Sequence, residues 1–205
     1  MRHPLPDGGV LYSAALELAR YGVALTPGSY IVEGGACSCG DATCRRPGSH
    51  PLMHDWLRWA SDQPSLLAQW WSGEWTNANV MAPLIGHFDV LDLPIPVAEA
   101  ALHRLRWAGN VNIPVVATPS GRRQIWVKAG GALNLLGRLP KRLPRRSHPD
   151  LRLHQRGSYV VAPPSRLGPD QTYDWHRPLT RHISTLADVD LVINAVVAAY
   201  TKIIG

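Results

Sequence analysis

Apolar residues recur along the chain with two different periods, and these periods predict the secondary structure. Helical spacing, in which apolar residues return every three to four positions, marks the segments 11–21, 97–107 and 186–203. A shorter helix is predicted over 64–71, because a proline suits the first turn of a helix. Short apolar runs bounded by Gly and Pro predict buried strands, and these are 23–32, 80–84, 88–93, 114–118, 124–128, 150–154, 158–162 and 172–175.

The order of these elements indicates the fold class. Helices and strands are interspersed, and several connections late in the chain are short enough for hairpins. This pattern favours an α+β (mixed α/β) fold over a doubly wound parallel sheet. We expect a mixed sheet flanked by helices in a domain spanning 1–180, with a loop inserted at 37–50. The segment 181–205 is expected to be an amphipathic helix that packs on this domain or on a partner.

Composition and charge narrow the class of protein. The 205 residues are 45% hydrophobic and 18% charged, which is a globular composition rather than a disordered one. The formal net charge is +6, and almost all of the positive charge is arginine. Arginine binds phosphate through two parallel hydrogen bonds, so nucleic acid is a candidate partner. The basic stretch 140–146 favours the same partner, although a solvated charged loop explains it equally well.

No membrane or secretion signal is visible in the sequence. The first residues lack a long apolar run, and acidic, amide and lysine side chains interrupt the apolar segment 186–205. Reduced thiols that bind a metal fit the cytoplasm. We therefore expect a cytoplasmic protein with no membrane partner.

The three cysteines of the chain lie within eight residues and are followed by a histidine. They are Cys37, Cys39 and Cys44, and His50 completes the C-x-C-x4-C-x5-H pattern. An odd number of crowded thiols cannot form a closed set of disulfides. Three thiolates and one imidazole suit tetrahedral zinc, with no open position for catalysis. The sequence therefore predicts a structural zinc site, and the alternative is a loop that is merely rich in cysteine.

Acidic residues at strand ends are the candidate catalytic groups. Asp92 ends an apolar strand, Asp89 lies three residues earlier, and Asp150 begins a later strand. If Asp92 and Asp150 lie on neighbouring strands, they could hold a divalent cation. Period-two alternation places Arg152 and His154 on the same strand face as Asp150. Two simpler readings stay open, namely a helix-capping aspartate at position 92 and a polar strand face that meets solvent.

A Ser-Gly turn between two strands is a candidate phosphate site. Its exposed backbone N–H groups could bind phosphate together with the side chains that follow them. The candidates for nucleotide or nucleic-acid binding are Ser120, Arg122, Arg123, Gln124 and the later Arg152. Many ordinary hairpin turns share this pattern.

Tryptophan is abundant, and two roles are open to it. The eight tryptophans could offer platforms on which bases stack. More of them are expected in the core, and Trp56, Trp59, Trp70 and Trp71 are expected to pack around the cysteine loop.

Over about residues 10–178, the order of these pieces resembles the N-terminal domain of the bifunctional DNA primase/polymerase family. This Prim-Pol family is a branch of the archaeo-eukaryotic primase superfamily. The pieces that carry the resemblance are the first helix, the cysteine loop, the Gln-Trp-Trp helix, Val-Leu-Asp92, Thr-Pro-Ser-Gly-Arg122, and Asp150-Leu-Arg followed by Tyr-Val-Val-Ala-Pro-Pro-Ser165. The resemblance implies a primase/polymerase-like sheet, a role in DNA replication, a DNA or RNA template and nucleotides as partners, and Mg or Mn at the catalytic acids.

The resemblance also exposes two losses in the catalytic motif. The family pattern places two acidic residues two positions apart, a histidine after the Ser-Gly turn, and a third acid further on. Here Asp92 matches the first acid and Asp150 the third, but Pro94 replaces the second acid and Gln124 replaces the histidine. A lost metal ligand and a lost phosphate contact should both weaken phosphoryl transfer.

These losses leave three functional hypotheses. The first is a domain that binds nucleic acid and nucleotides with weakened or lost nucleotidyl transfer. The second is an active primase/polymerase whose rearranged metal site recruits Asp89 or Glu99. The third is a non-catalytic protein-interaction or regulatory module. A helicase or replisome partner is expected to be a separate protein.

Overall fold

A computed structural model describes residues 8–107, 109, 111–130 and 151–204. Its helices are α1 (Gly8–Arg20), α2 (Trp56–Trp59), α3 (Pro64–Gln69), α4 (Ile95–Leu105) and α5 (Val189–Ile204). The first five strands are β1 (Thr26–Gly28), β2 (Asn79–Pro83), β3 (Phe88–Pro94), β4 (Val115–Ala117) and β5 (Arg122–Lys128). The later strands are β6 (Arg152–His154), β7 (Tyr159–Val161), β8 (Arg166–Gly168), β9 (Gln171–Thr172) and β10 (Asp174–Arg177).

A five-stranded sheet in the order β10-β4-β5-β3-β6 forms the centre of the fold. The α+β class is therefore confirmed. Each pair of neighbouring strands in this sheet is antiparallel, whereas a mixed sheet was expected. The reason is the position of β5. Helix α4 carries the chain from β3 to a parallel β4, but β5 turns back and inserts between them.

The alternation of side chains along β3 divides the interior into two cores. Leu91 and Leu93 face α4 and α5, where they pack with Ile125 of β5. Val90 faces the opposite side, where it packs with Trp126 against α1 and a second sheet. The central sheet is thus covered on both faces, and polar side chains on it lie at a boundary of a core rather than in open solvent.

The second sheet is three-stranded and has the order β1-β2-β7. Only three residues of the predicted strand 23–32 belong to it, and Pro27 is tolerated there because β1 is an edge strand. The predicted helix 64–71 corresponds to α3, which ends at Gln69 and is followed directly by a π-helical turn, Trp70–Glu74. Trp70 and Trp71 are buried as expected, but Trp59 is 54% exposed.

Helix α5 packs along α4 through buried Val192, Val196 and Ala199. This contact covers the helix-facing side of the central sheet, while the division of the chain into domains stays a prediction. In the part of the chain that is described, no helix is both long enough and apolar enough to cross a membrane.

Candidate functional site

The cysteine loop leaves the edge strand β1 and returns beside it. A bridge between Gly28 and Pro51 closes the base of the loop, and a second bridge joins Ile31 to Cys37. The backbone N–H of Ser29 donates to the carbonyl of His50 at 2.7 Å. The sequence folds in this way because both ends of the loop continue the hydrogen bonding of one strand.

Four potential metal ligands converge in this loop. The Sγ atoms of Cys37, Cys39 and Cys44 and a ring nitrogen of His50 lie within 4.8 Å of one another. Nδ1 of His50 is 2.9 Å from the carbonyl of Pro51, and Nε2 is 3.4 Å from Cys37 Sγ. A carbonyl that accepts from Nδ1–H leaves Nε2 as the ligand atom, as in many zinc sites. The donor set therefore fits tetrahedral zinc.

The electrostatics of the loop also favour a bound cation. Burial raises the pKa of the Cys37 thiol, but backbone N–H donors from Cys39 and Gly48 and side-chain hydrogen bonds outweigh it and bring the pKa to about 6. For Cys44, the N–H of Arg46 lowers the pKa, yet burial and the neighbouring thiols raise it overall. Neighbouring thiols oppose each other's ionisation, and a cation between them would relieve this conflict.

A buried asparagine holds the loop against the second sheet, and sequence reasoning missed it. Asn79 of β2 donates to the carbonyls of Ser29, Gly48 and Arg166 at 3.0, 2.8 and 2.8 Å. Its Oδ1 accepts from the N–H of Arg166 at 2.9 Å. Gly48 has a φ of +71°, and a Cβ there would lie 3.2 Å from Leu167. Nothing in the apolar pattern around Asn79 distinguishes it from an ordinary strand residue.

A second polar cluster, here called the sheet-face site, lies on the central sheet. Asp92 on β3 is paired with Gln124 on β5 and with Arg152 on β6. Arg122 and His154 lie on the same face, two residues away along their strands. The register thus brings four of the predicted residues together, because β3 is the strand between β5 and β6.

Asp92 is already neutralised by the protein. Arg122 Nε donates to Asp92 Oδ1, and Arg122 Nη2 donates to the backbone carbonyl of Asp92 at 2.7 Å. His154 Nε2 lies 3.7 Å from Asp92 Oδ2. Burial raises the pKa of Asp92, but the nearby side chains of His154 and Arg122 lower it overall. The carboxylate is therefore ionised and paired with a buried guanidinium.

Asp89 lies on the opposite face of β3 and does not join this cluster. Its side chain is on the α4 and α5 side of the sheet, where Oδ2 accepts from the N–H of Gly130 at 3.2 Å. Burial raises its pKa, and the Gly130 hydrogen bond only partly offsets this effect. Glu99 is occupied elsewhere, since Oε1 accepts from Arg123 Nε at 3.2 Å.

The Ser-Gly turn closes the β4–β5 hairpin. Ser120 Oγ lies 2.9 Å from Thr118 Oγ1, which accepts from the N–H of Arg122 at 3.1 Å. Arg123 points to α4, so it does not share a strand face with Arg122 and Gln124. Hydrogen bonds among its own residues therefore stabilise the turn.

Two side chains beside Asp92 carry unsatisfied polar atoms. Gln124 is 6% exposed, and its Oε1 has no hydrogen-bond partner among the described residues. His154 Nε2 likewise has no hydrogen-bond partner within 3.5 Å among the described residues. Tyr173 lies nearby, and burial together with the charge of Asp92 raises its pKa to about 12. The alternation 150, 152, 154 placed His154 on this strand face, but it was not among the predicted site residues.

Asp150 and the basic stretch 140–146 lie outside the described residues. Within the described ranges, the cysteine loop is the one group of three or more Cys, His, Asp or Glu side chains placed to hold a metal. Within these ranges, Asp92 does not join such a group and is paired with the cationic side chain of Arg122.

The chain belongs to the Prim-Pol family. The sequence model of the bifunctional DNA primase/polymerase N-terminal domain matches residues 15–188, which is most of the chain. A comparison with curated protein sequences gives no match. Family membership implies a primase/polymerase-like domain whose substrates are nucleic acid and nucleotides.

Proposed function

We propose that this domain binds nucleic acid and nucleotides and that its nucleotidyl transfer is weakened or lost. The observation that carries the proposal is the buried ion pair between Arg122 and Asp92. In this family the matching carboxylate is expected to hold a catalytic cation. Here a side chain of the protein supplies the positive charge instead.

The cost of exchanging this ion pair for a metal supports the proposed loss of activity. Arg122 is 9% exposed, so a cation bound to Asp92 would have to displace a buried guanidinium from the carboxylate that it contacts. Removing one partner of a buried pair costs about 3–5 kcal/mol, which corresponds to a loss of roughly 100-fold or more in metal affinity. Pro94 contributes no carboxylate that could compensate.

Binding does not need the missing ligands. The chain carries a net charge of +6, and Arg152 lies on the face of the sheet that also holds Asp92. Phosphate contacts made by arginine supply most of the non-specific affinity for nucleic acid. Gln124, in the place of the histidine, can still hydrogen-bond a phosphate but adds no charge.

We also propose that Cys37, Cys39, Cys44 and His50 hold a structural zinc ion. The convergence of their ligand atoms within 4.8 Å supports this assignment. Mg or Mn would be required only by the active alternative. The pathway that this proposal favours is DNA replication in the cytoplasm, together with a separate helicase or replisome protein.

Primer extension and de novo priming with Mg²⁺ and Mn²⁺ test the proposal. We expect the wild type to extend no more product than Asp92→Ala, while both bind single-stranded DNA with an affinity that falls as salt rises. Asp170→Ala, which changes an exposed aspartate, is the matched control for folding and yield. Extension by the wild type and Asp170→Ala that disappears in Asp92→Ala would establish the active alternative. The absence of DNA binding would remove the proposal altogether and favour an interaction module.

A further inference from the structure

Arg46 is fixed in space by the cysteine loop. It lies between the candidate ligands Cys44 and His50, and its backbone N–H lowers the pKa of the Cys44 thiol. Its carbonyl accepts from the N–H of Ser49 at 3.0 Å and from the Ser49 hydroxyl at 3.3 Å. The backbone of an exposed arginine is thus held by the segment that carries the candidate ligands.

The side chain of Arg46 reaches out of the loop to the second sheet. Its Nη1 donates to the hydroxyl of Tyr159 on β7 at 3.3 Å, across 113 positions of sequence. Within the described part of the chain, no acidic group forms an ion pair with Arg46. Among the described residues, the partner of this guanidinium is therefore a neutral hydroxyl.

Tyr159 lies between Arg46 and a second aromatic ring, Trp56, and it packs on the side of the central sheet that carries the sheet-face site. The ring of Trp56 meets the ring of Tyr159 edge-on, with centroids 5.2 Å apart and an angle of 81° between the planes. Tyr159 packs against the core that also contains Tyr173, and this core covers the face of the central sheet that carries Asp92. Burial raises the pKa of Tyr173, and the charges of Asp92 and Tyr159 add to this effect.

We propose that Arg46, Tyr159 and Trp56 form a binding platform for single-stranded nucleic acid at the edge of the sheet-face site, and that the metal-closed loop positions Arg46 in it. Arg46 contacts a backbone phosphate, and the two half-buried rings support a neighbouring base. Alternating arginine and aromatic side chains are the chemistry that recognises single strands without reading their sequence. This inference rests on the proposed nucleic-acid binding, and it gives the cysteine loop a role beyond holding the fold together.

The adjacent Arg45 provides a matched control. It is exposed, carries the same charge and lies in the same loop. Unlike Arg46, its side chain forms no hydrogen bond or ion pair with another residue in the described part of the chain. General attraction of a basic surface for DNA would be reduced similarly by loss of either arginine. A specific contact would be lost only with Arg46.

The experiment measures fluorescence anisotropy of a labelled oligo-dT strand bound to the full chain over a range of salt concentrations. We expect Arg46→Ala to weaken binding about 5–10-fold and to reduce the slope of log K against log salt by about 0.7. Arg45→Ala should change the affinity less than about twofold. Cys39→Ser, which removes an exposed candidate ligand, should weaken binding as Arg46→Ala does, because the loop no longer holds Arg46 against Tyr159.

The outcomes separate this inference from the proposed function. Equal effects of Arg46→Ala and Arg45→Ala, with binding by the wild type intact, would overturn the platform alone. Wild-type affinity in a folded, zinc-free Cys39→Ser would overturn the positioning role of the loop. A wild type that binds no oligonucleotide would overturn the proposed function and this inference together.

Discussion

The cysteine loop and the sheet-face site both collect side chains that bind metals, but they differ in where the compensating charge comes from. In the loop, three thiols and an imidazole face one another, and the neighbouring thiols raise the pKa of Cys44. On the sheet, the guanidinium of Arg122 already contacts the carboxylate of Asp92. The first arrangement fits a cation from outside the chain, and the second supplies one from within it. Ligand-type residues alone therefore do not define a metal site.

Burial makes this difference energetically important. Cys37 and Asp92 are 7% and 6% exposed, so neither can rely on water to stabilise its anionic form. A buried charge without a partner is costly, and an ion pair offsets that cost at Asp92, whereas a bound metal would offset it in the loop. Four experiments test this comparison, and the largest effect is expected in the loop.

Loss of the loop metal should have the largest effect on stability. We expect the wild type to contain about one zinc ion per chain and Cys37→Ser to contain almost none. Since binding of a structural metal is part of the folding free energy, Tm should fall by more than about 10 °C. Metal analysis and thermal unfolding measure both effects. Asp41→Asn, in the same loop but hydrogen-bonded to Thr43, should keep its zinc. Equal stability of the zinc-free and wild-type chains would contradict a structural role.

Replacing Arg122 with methionine should destabilise the protein by about 3 kcal/mol, because it leaves the Asp92 carboxylate buried without its main partner. The neighbouring Arg123 is the control, since its partner Glu99 is 43% exposed and the pair is partly solvated. Arg123→Met should cost less than about 1 kcal/mol. Urea unfolding of the two variants at neutral pH gives the comparison. Similar costs would show that burial does not strengthen the sheet-face pair.

Acid should remove the contribution of Asp92 to stability. Its pKa is lowered in the folded state, so the ionised form stabilises the fold above the unfolded pKa of about 4 and this contribution is lost as pH falls further. The stability difference between wild type and Asp92→Asn should therefore be full at pH 7 and shrink below about pH 4. Comparing the two chains cancels acid effects on the cysteine loop, which both share. A difference that does not change with pH would contradict the ion pair.

Substitution of Asp89 should change stability in the opposite direction from substitution of Asp92, and its effect should be the smallest of the four. Burial raises its pKa, so its ionised form opposes folding at neutral pH. Asp89→Asn should stabilise the chain by about 0.5–1 kcal/mol at pH 7, since an asparagine oxygen can still accept from the N–H of Gly130. This gain should shrink as pH falls and the wild-type carboxyl becomes protonated. Destabilisation at neutral pH would mean that the carboxylate is held by more than this hydrogen bond.

Local patterns in the sequence were sufficient for much of the fold. The apolar run 88–93 became a central strand, and the regular spacing of 97–107 became α4, shifted by two residues at each end. The cysteine loop was also predictable, because its candidate ligands lie close together in sequence. In each case neighbouring residues carried the information.

The contacts that distinguish this domain are not local. Arg122 meets Asp92 only because β5 inserts beside β3 in one register, and a shift of one residue would turn the guanidinium to the other face. Asn79 joins the cysteine loop to the first residue of β8, which is 87 positions away from it. Arg46 and Tyr159 are further apart still. Periodicity does not encode such pairings, so sequence reasoning identified Arg122 as a phosphate ligand and not as the partner of Asp92.

The closure of the loop base beside β1 has a consequence for self-association. Leu52 donates its N–H to the carbonyl of Pro27, and the Gly28–Pro51 bridge continues this pairing along the outer side of β1. Without the metal-closed loop, the backbone of an edge strand would be open to pairing with a second chain. We therefore expect zinc starvation to appear first as aggregation.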